Sequence, residues 1–263
     1  MVVLVATLDT ENVKGLVKEM NLENLETIVV NQSRQGRVAS QLLEDGKTKI
    51  LYSDRLGLSA SRNDALNLAP YTAICQIADD DMVFVEDYEK LVDQAYQEFP
   101  DADMIVFYVD QERSELSKKP LKKGKMNHIT AMKTSSVQIS FKKSSLVDRG
   151  ITFDERFGIG APYTFGEENI LLFDALRKGL KIYSYPEKIA TLRDRESHWD
   201  RTPTPSLCQN RGAVFKRMSP KWYWLLIIQF AIRKRQMMRP EISILANLKY
   251  MFQGAREFQK ART

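Results

Sequence analysis

Long apolar runs are scarce in this chain of 263 residues, and the one that stands out, residues 222–232, is short. As a helix it covers about 16 Å at ~1.5 Å per residue, half of a hydrocarbon core of ~30 Å, so it cannot cross a bilayer as a single helix. Cysteine is also scarce. Cys75 and Cys208 offer neither a disulfide framework nor metal-ligand spacing, which points to a reducing compartment and two buried thiols. Histidine occurs twice, as His128 and His198. The opening stretch MVVLVATL has no basic region before it and meets Asp9 and Glu11 early, so it reads as a first strand rather than a secretory signal. Internal repeats and low-complexity segments are absent.

What is there begins with charge. The net charge of +5 hides an asymmetry: residues 207–263 carry 12 Lys/Arg against Glu241 and Glu257, while residues 1–206 are net acidic. An acidic body with a basic tail suggests chemistry in one part and attachment in the other. With 43% hydrophobic residues the chain is long enough for one large α/β domain with an appendage.

Short apolar strands alternate with amphipathic segments over the first hundred residues. Candidate strands are 2–7, 27–31, 49–52, 72–78 and 104–109; candidate helices are 12–20, 59–68 and 86–98. This rhythm predicts a mostly parallel sheet flanked by helices, with ligands at the carboxyl ends of the strands. Residues 111–133 are polar and basic and read as a mobile loop that includes a solvated His128. A strand over 136–141, a glycine-rich loop over 158–166, a helix from Glu167 to a closing Gly179, and a strand over 181–185 follow.

Asp79-Asp80-Asp81 lies at one of the expected strand ends. Along an extended chain Asp79 and Asp81 project to the same side and make a hard oxygen site. Magnesium or manganese would take such carboxylates and complete its shell with water and phosphate oxygens, which implies a nucleoside-diphosphate partner. A surface turn or a helix cap is the plainer reading of the triplet. Gly57-Leu58-Ser59-Ala60-Ser61-Arg62-Asn63 would let a helix N-terminus approach a diphosphate, with Arg62 as a charge-assisted fork; ordinary capping with Arg62 on the surface is the alternative. Glu167 and Glu168 open a helix, where the dipole alone favours acids.

Taken in order, the first strand ending at Thr7, the Gly57–Leu66 segment, the Asp triplet, and Phe157-Gly158-Ile159-Gly160 followed by Gly166-Glu167-Glu168-Asn169 resemble the GT-A enzymes of glycosyltransferase family 2. The likeness spans residues 2–199 and has the look of bacterial enzymes that build surface or capsular polysaccharide. It implies a Rossmann-type, GT-A-like fold in which Asp79 lies near the donor ribose and Asp81 reaches a Mn2+ or Mg2+ ion bridging the two phosphates. Thr7 and Asp9 would border the nucleobase. Where the family usually has an Asp-rich turn this chain has Asn31-Gln32-Ser33, and Asn31 can offer its amide to a base edge. Glu168 falls on the position of the general base in inverting members, with Glu167 as its substitute, and His198 falls where some relatives contact metal or phosphate. A structural or surface role is the alternative for His198; Trp199 beside it could stack on a sugar ring or simply pack.

After Pro240, Ile242, Leu245, Leu248, Phe252, Ala255 and Phe258 recur at helical steps, with Lys249, Arg256 and Lys260 elsewhere on the helix. A helix lying on an anionic leaflet and a helical pair packed on the body or on a second subunit are both consistent with this pattern; the density of cations favours the leaflet. No nucleic-acid motif accompanies the charge.

The resulting expectation has a GT-A-like catalytic domain over 1–206, divided into a nucleotide-sugar half (1–110) and an acceptor half (111–206), and a basic amphipathic helical tail over 207–263. The protein would be cytoplasmic, peripheral at the inner face of the membrane, and a homo-oligomer is possible. It would move a sugar from a nucleoside-diphosphate sugar, UDP-sugar first, to a hydroxyl of a lipid-linked or polysaccharide acceptor. A sugar nucleotidyltransferase and a non-catalytic donor-binding partner subunit are the rivals.

Overall fold

The structure is a computed structural model; it describes residues 1–34, 41–113, 119–194, 203–238 and 241–260. Its centre is a ten-stranded mixed sheet. In chain order the strands and helices are β1 (Val2–Leu8), α1 (Val13–Glu19), β2 (Thr27–Gln32), β3 (Gln41–Asp45), β4 (Thr48–Ser53), α2 (Leu58–Leu68), β5 (Ile74–Asp79), β6 (Met82–Phe84), α3 (Tyr88–Glu98) and β7 (Met104–Gln111). Then come β8 (Gly124–Lys125), α4 (His128–Ala131), β9 (Ile139–Lys142), α5 (Lys143–Asp148), α6 (Glu167–Arg177) and β10 (Ile182–Leu192). The helices α7 (Pro205–Met218), α8 (Tyr223–Arg233), α9 (Arg235–Met238) and α10 (Ile244–Lys260) follow.

The strand order is β3-β4-β2-β1-β5-β9-β7-β10-β6, with β8 paired to β10. β4, β2, β1 and β5 run parallel, β9 is inserted antiparallel between β5 and β7, and β10 resumes the parallel direction. Period-two alternation sends the strands' apolar side chains to opposite faces. Val2 and Leu4 join one buried cluster with α2, α6 and the C-terminal helices, while Val3 and Val5 join another with α1 and α3. Pro186, which cannot donate to a ladder, sits where β10 breaks register between Ser184 and Lys188.

The βα order is as the sequence predicts, and several details differ. β3 was not expected. The strand expected over 136–141 starts only at Ile139, because Ser135 and Gln138 form a reciprocal cap that winds Ser136–Gln138 into a 3-10 turn. The stretch expected to be loop over 111–133 contains β8 and α4, the latter held by an Asn127–Thr130 capping box. His128 is exposed but leans edge-on against Phe173 at 4.8 Å. Cys75 and Cys208 are buried, and burial pushes the Cys75 thiol up to about 12. α6 ends as expected, with Gly179 at φ +82 just past its cap.

Of the apolar stripe expected after Pro240, Ile242, Ala255 and Phe258 are buried and Leu248 and Phe252 pack against the core, while Leu245 faces out. α10 also buries Asn247, Met251 and Gly254, which widens the inward face, and leaves Leu245 76% exposed. The reason is a helix crossing without side chains. A Cβ on Gly212 would lie 1.8 Å from the Met251 carbonyl oxygen, and one on Gly254 would lie 2.0 Å from that of Gln209, so α7 and α10 cross backbone to backbone. α10 therefore packs on the body: Phe258 meets Phe157 and Tyr163, each at 5.5 Å. Among the described residues no helix is long and apolar enough to cross a membrane.

Candidate active site

β1, β2 and β5 end together at one edge of the sheet, with Thr7 opposite Asn31 and Ala6 opposite Asp79 in the register. Beyond them the chain turns through Asp80 and Asp81. Thr7 donates its hydroxyl to Asp80 Oδ2 at 2.6 Å. The Asn31 amide accepts from the Thr10 backbone N–H at 3.1 Å and donates to its carbonyl at 2.7 Å, so it braces the β1–α1 loop. Asp9 sits at φ +52 and accepts from the Arg34 backbone N–H at 3.1 Å. Gln32, buried beside Asn31, donates to the Gly57 carbonyl at 3.1 Å and so ties the β2 end to the start of α2.

From α2 the Arg62 guanidinium, 2% exposed, reaches three elements at once. It donates to Glu167 Oε1 at 2.8 Å, to Asp79 Oδ1 at 3.0 Å and to the Ser136 hydroxyl at 2.9 Å. Burial works against its charge, but Asp79 and Glu167 outweigh that and its pKa is raised. These hydrogen bonds make Arg62 an internal ion bridge beneath the surface, where the sequence alone suggests either a diphosphate fork or a surface side chain. The α2 N-terminus is also occupied by protein. Leu58 donates its backbone N–H to the Ile159 carbonyl at 2.9 Å, and Ser59 donates its hydroxyl to the Phe157 carbonyl at 2.6 Å.

Glu167 and Glu168 open α6 immediately after Gly166, whose φ of +92 is left-handed and costs a glycine little. A Cβ there would also stand 2.7 Å from Val214 Cγ1 of α7. Glu167 is buried against Arg62, whereas Glu168 is half-buried. Burial first, then the neighbouring Glu167 charge, pushes the Glu168 carboxyl up to about 8, against a smaller opposing pull from Arg62. A carboxyl shifted in this way by burial and a like charge marks a candidate functional position.

The C-terminal helices support this loop. Arg217 of α7 donates to Asp154 Oδ2 and to Asp174 Oδ2 of α6, each at 2.7 Å, and Asn210 donates to the Thr164 hydroxyl at 3.2 Å. Burial would raise the Asp154 carboxyl, but hydrogen bonds from Arg156 and Arg217 bring it down to about 2.

Thr7, Asn31, Asp79 and Asp80 gather at the strand ends, and Arg62 joins Asp79 to the Glu167–Glu168 turn. Asp81 continues the same turn, and its carbonyl accepts from the Arg193 backbone N–H at 2.8 Å. His198 and Trp199 lie outside the described residues. Reading the sequence missed Ser136, Gln32 and Thr10 because single polar residues carry no motif; the Asp80–Thr7 bond was within reach once the strand order placed both at one edge.

No group of three or more His, Cys, Asp or Glu suited to hold a metal occurs among the described residues. The carboxylate oxygens at the β5 end nonetheless suit magnesium or manganese, which needs only one or two carboxylates when phosphate and water supply the rest. Arg62 and Thr7 each engage one oxygen, on Asp79 and Asp80 respectively, which fixes these carboxylates in place.

The glycosyl transferase family 2 model matches residues 10–153, more than half of the chain and including the Asp triplet and Arg62. No curated protein matches significantly. Three solved structures of S. aureus TarS share the fold. The 1–349 fragment superposes with a TM-score of 0.60 at 11% identity, covering 99% of this chain and 92% of that one. The same fragment in complex with UDP-GlcNAc gives 0.57 at 14%, covering 98% and 71%, and a further TarS structure gives 0.56 at 13%, covering 98% and 42%. The family match sets the sugar nucleotidyltransferase alternative aside. The mixed, helix-flanked sheet, the acidic strand end and the matched family model agree: this chain is a glycosyltransferase and belongs to family 2.

Proposed function

We propose that this glycosyltransferase moves one sugar, with inversion, from a nucleoside-diphosphate donor to an acceptor hydroxyl, with Glu168 as the general base. The observation that carries the reading is the Arg62 bridge, which ties Asp79 at the β5 end to the acidic pair opening α6. One guanidinium thereby links Asp79 to Glu167, the residue beside the proposed base, which supports a single site that joins the two. In the step, the acceptor oxygen bonds the anomeric carbon as its proton passes to the Glu168 carboxylate. The bond from that carbon to the diphosphate oxygen breaks, and the nucleoside diphosphate leaves with the electron pair. Glu167, committed to Arg62, holds the turn rather than taking the proton.

Asp79 and Asp81 would hold a Mn2+ or Mg2+ ion, which when bound supplies positive charge to the leaving diphosphate. UDP-sugar is the first donor to test, because one fold neighbour was captured with UDP-GlcNAc. Thr7, Asp9 and Asn31 would frame the base. For the acceptor we favour a lipid-linked or polysaccharide hydroxyl of a bacterial surface glycan, met at the inner face of an anionic membrane. The basic C-terminal segment supports that last point.

Calorimetric titration of UDP-, GDP- and dTDP-sugars with and without manganese tests the donor site. Binding of one donor family, strengthened by the metal, is expected. Absence of binding for every donor, with and without metal, would contradict the reading.

A further inference from the structure

α8 rests on α7 and α10 with Ile227 and Ala231 turned inward. Its other side is apolar and open. Trp224, Leu225, Ile228 and Ile232 are 40%, 46%, 39% and 56% exposed, and Trp222 just before the helix is 60% exposed. Residues 224, 228 and 232 follow one another at four-residue steps with 225 beside them, so they form a single stripe along the helix. Scattered exposed apolar side chains are ordinary, but a continuous stripe marks an interaction surface. The two tryptophans stand side by side at one end, their ring centres 6.4 Å apart. Indole suits a boundary where one edge is apolar and the other wet.

Cations bracket the stripe. Lys221 precedes it, and Arg233, Lys234 and Arg235 follow it, all exposed. Residues 219–238 contain no acid. We propose that this α8 face, with Lys221 and the Arg233-Lys234-Arg235 cluster at its ends, docks the protein on an anionic lipid surface. The proposal rests on the reading that the acceptor is met at a membrane, and it assigns the contact to α8 instead of α10, whose Met251, Gly254 and Phe258 are packed on α7 and the glycine-rich loop.

Charge decides between a lipid surface and a second copy of the chain. A symmetric contact through this face would set cation clusters near one another with no acid in the segment to answer them. Anionic headgroups meet the cations while the indoles and aliphatic side chains enter the acyl boundary.

Cosedimentation of the full chain with phosphatidylcholine vesicles, alone or with roughly 30% phosphatidylglycerol, tests this. Binding to the anionic vesicles is expected, at least about 30-fold weaker to the neutral ones, and weakened by salt. The variant W224S/I228S should bind anionic vesicles about 10-fold or more weakly, with unchanged circular dichroism and donor titration. Wild-type protein that stays in solution, equal binding to neutral vesicles, or undiminished binding by a folded variant would each overturn the proposal. So would a dimer in sedimentation velocity that W224S/I228S dissolves, since the face would then belong to a second copy. Donor titration and vesicle binding are separate readouts, so either reading can fail alone.

Discussion

Replacing Arg62 with methionine removes the cation that joins three elements while keeping most of the side-chain volume. Its partner Glu167 is 5% exposed and would be left as a buried charge without its ion pair. Breaking a buried pair from one side costs about 3–5 kcal/mol, and the more exposed contact to Asp79 adds little. At this chain length each kcal/mol moves the melting temperature by roughly 2–4 °C, so the midpoint should fall by roughly 6–20 °C. The double variant R62M/E167Q removes both charges and should lose less than R62M alone, with a coupling of at least about 1 kcal/mol. Urea unfolding of the wild type, both single variants and the double variant, fitted with a common slope, supplies the four free energies. An R62M loss below about 1 kcal/mol, or strictly additive variants, would refute the ion-bridge argument.

Other predictions follow from the same contacts. Gly254→Ala puts a methyl 2.0 Å from the Gln209 carbonyl oxygen, so α10 must shift; stability should drop by about 1–3 kcal/mol, and an unchanged denaturation midpoint would show that the crossing is looser. Glu168, raised in the fold, holds its proton more tightly there than in the unfolded chain, so its contribution to stability falls as pH rises from the ordinary carboxyl range through about 8. Glu168→Gln should therefore match the wild type near pH 4 and exceed it at about pH 9 by on the order of 2 kcal/mol, discounted for the solvent reaching this carboxyl; denaturation at both values checks it.

The sheet was legible because its strands are short apolar runs separated by amphipathic helices, and strand ends are where charged residues such as Asp79 fall. α6 was legible down to its terminal Gly179. β3 was not, since Gln41–Asp45 has two leucines among three polar residues and acquires strand form only by pairing with β4. The acidic residues stand out by their clustering, but the ion pairs of Arg62 do not. A sequence shows a guanidinium; only the fold shows that Glu167, 105 residues away, lies beside it. The burial of Asn247, Met251 and Gly254 on α10 is not legible for a related reason. Its apolar periodicity describes several possible faces, and the choice was made by two glycines, Gly212 and Gly254, whose significance lies in each other.

The most direct test of the account is to separate donor binding from turnover in Glu168→Gln. The variant should bind the nucleotide-sugar donor as the wild type does while sugar transfer slows by about 10²–10⁴-fold, the usual contribution of a general base. Transfer at the wild-type rate by Glu168→Gln would contradict it.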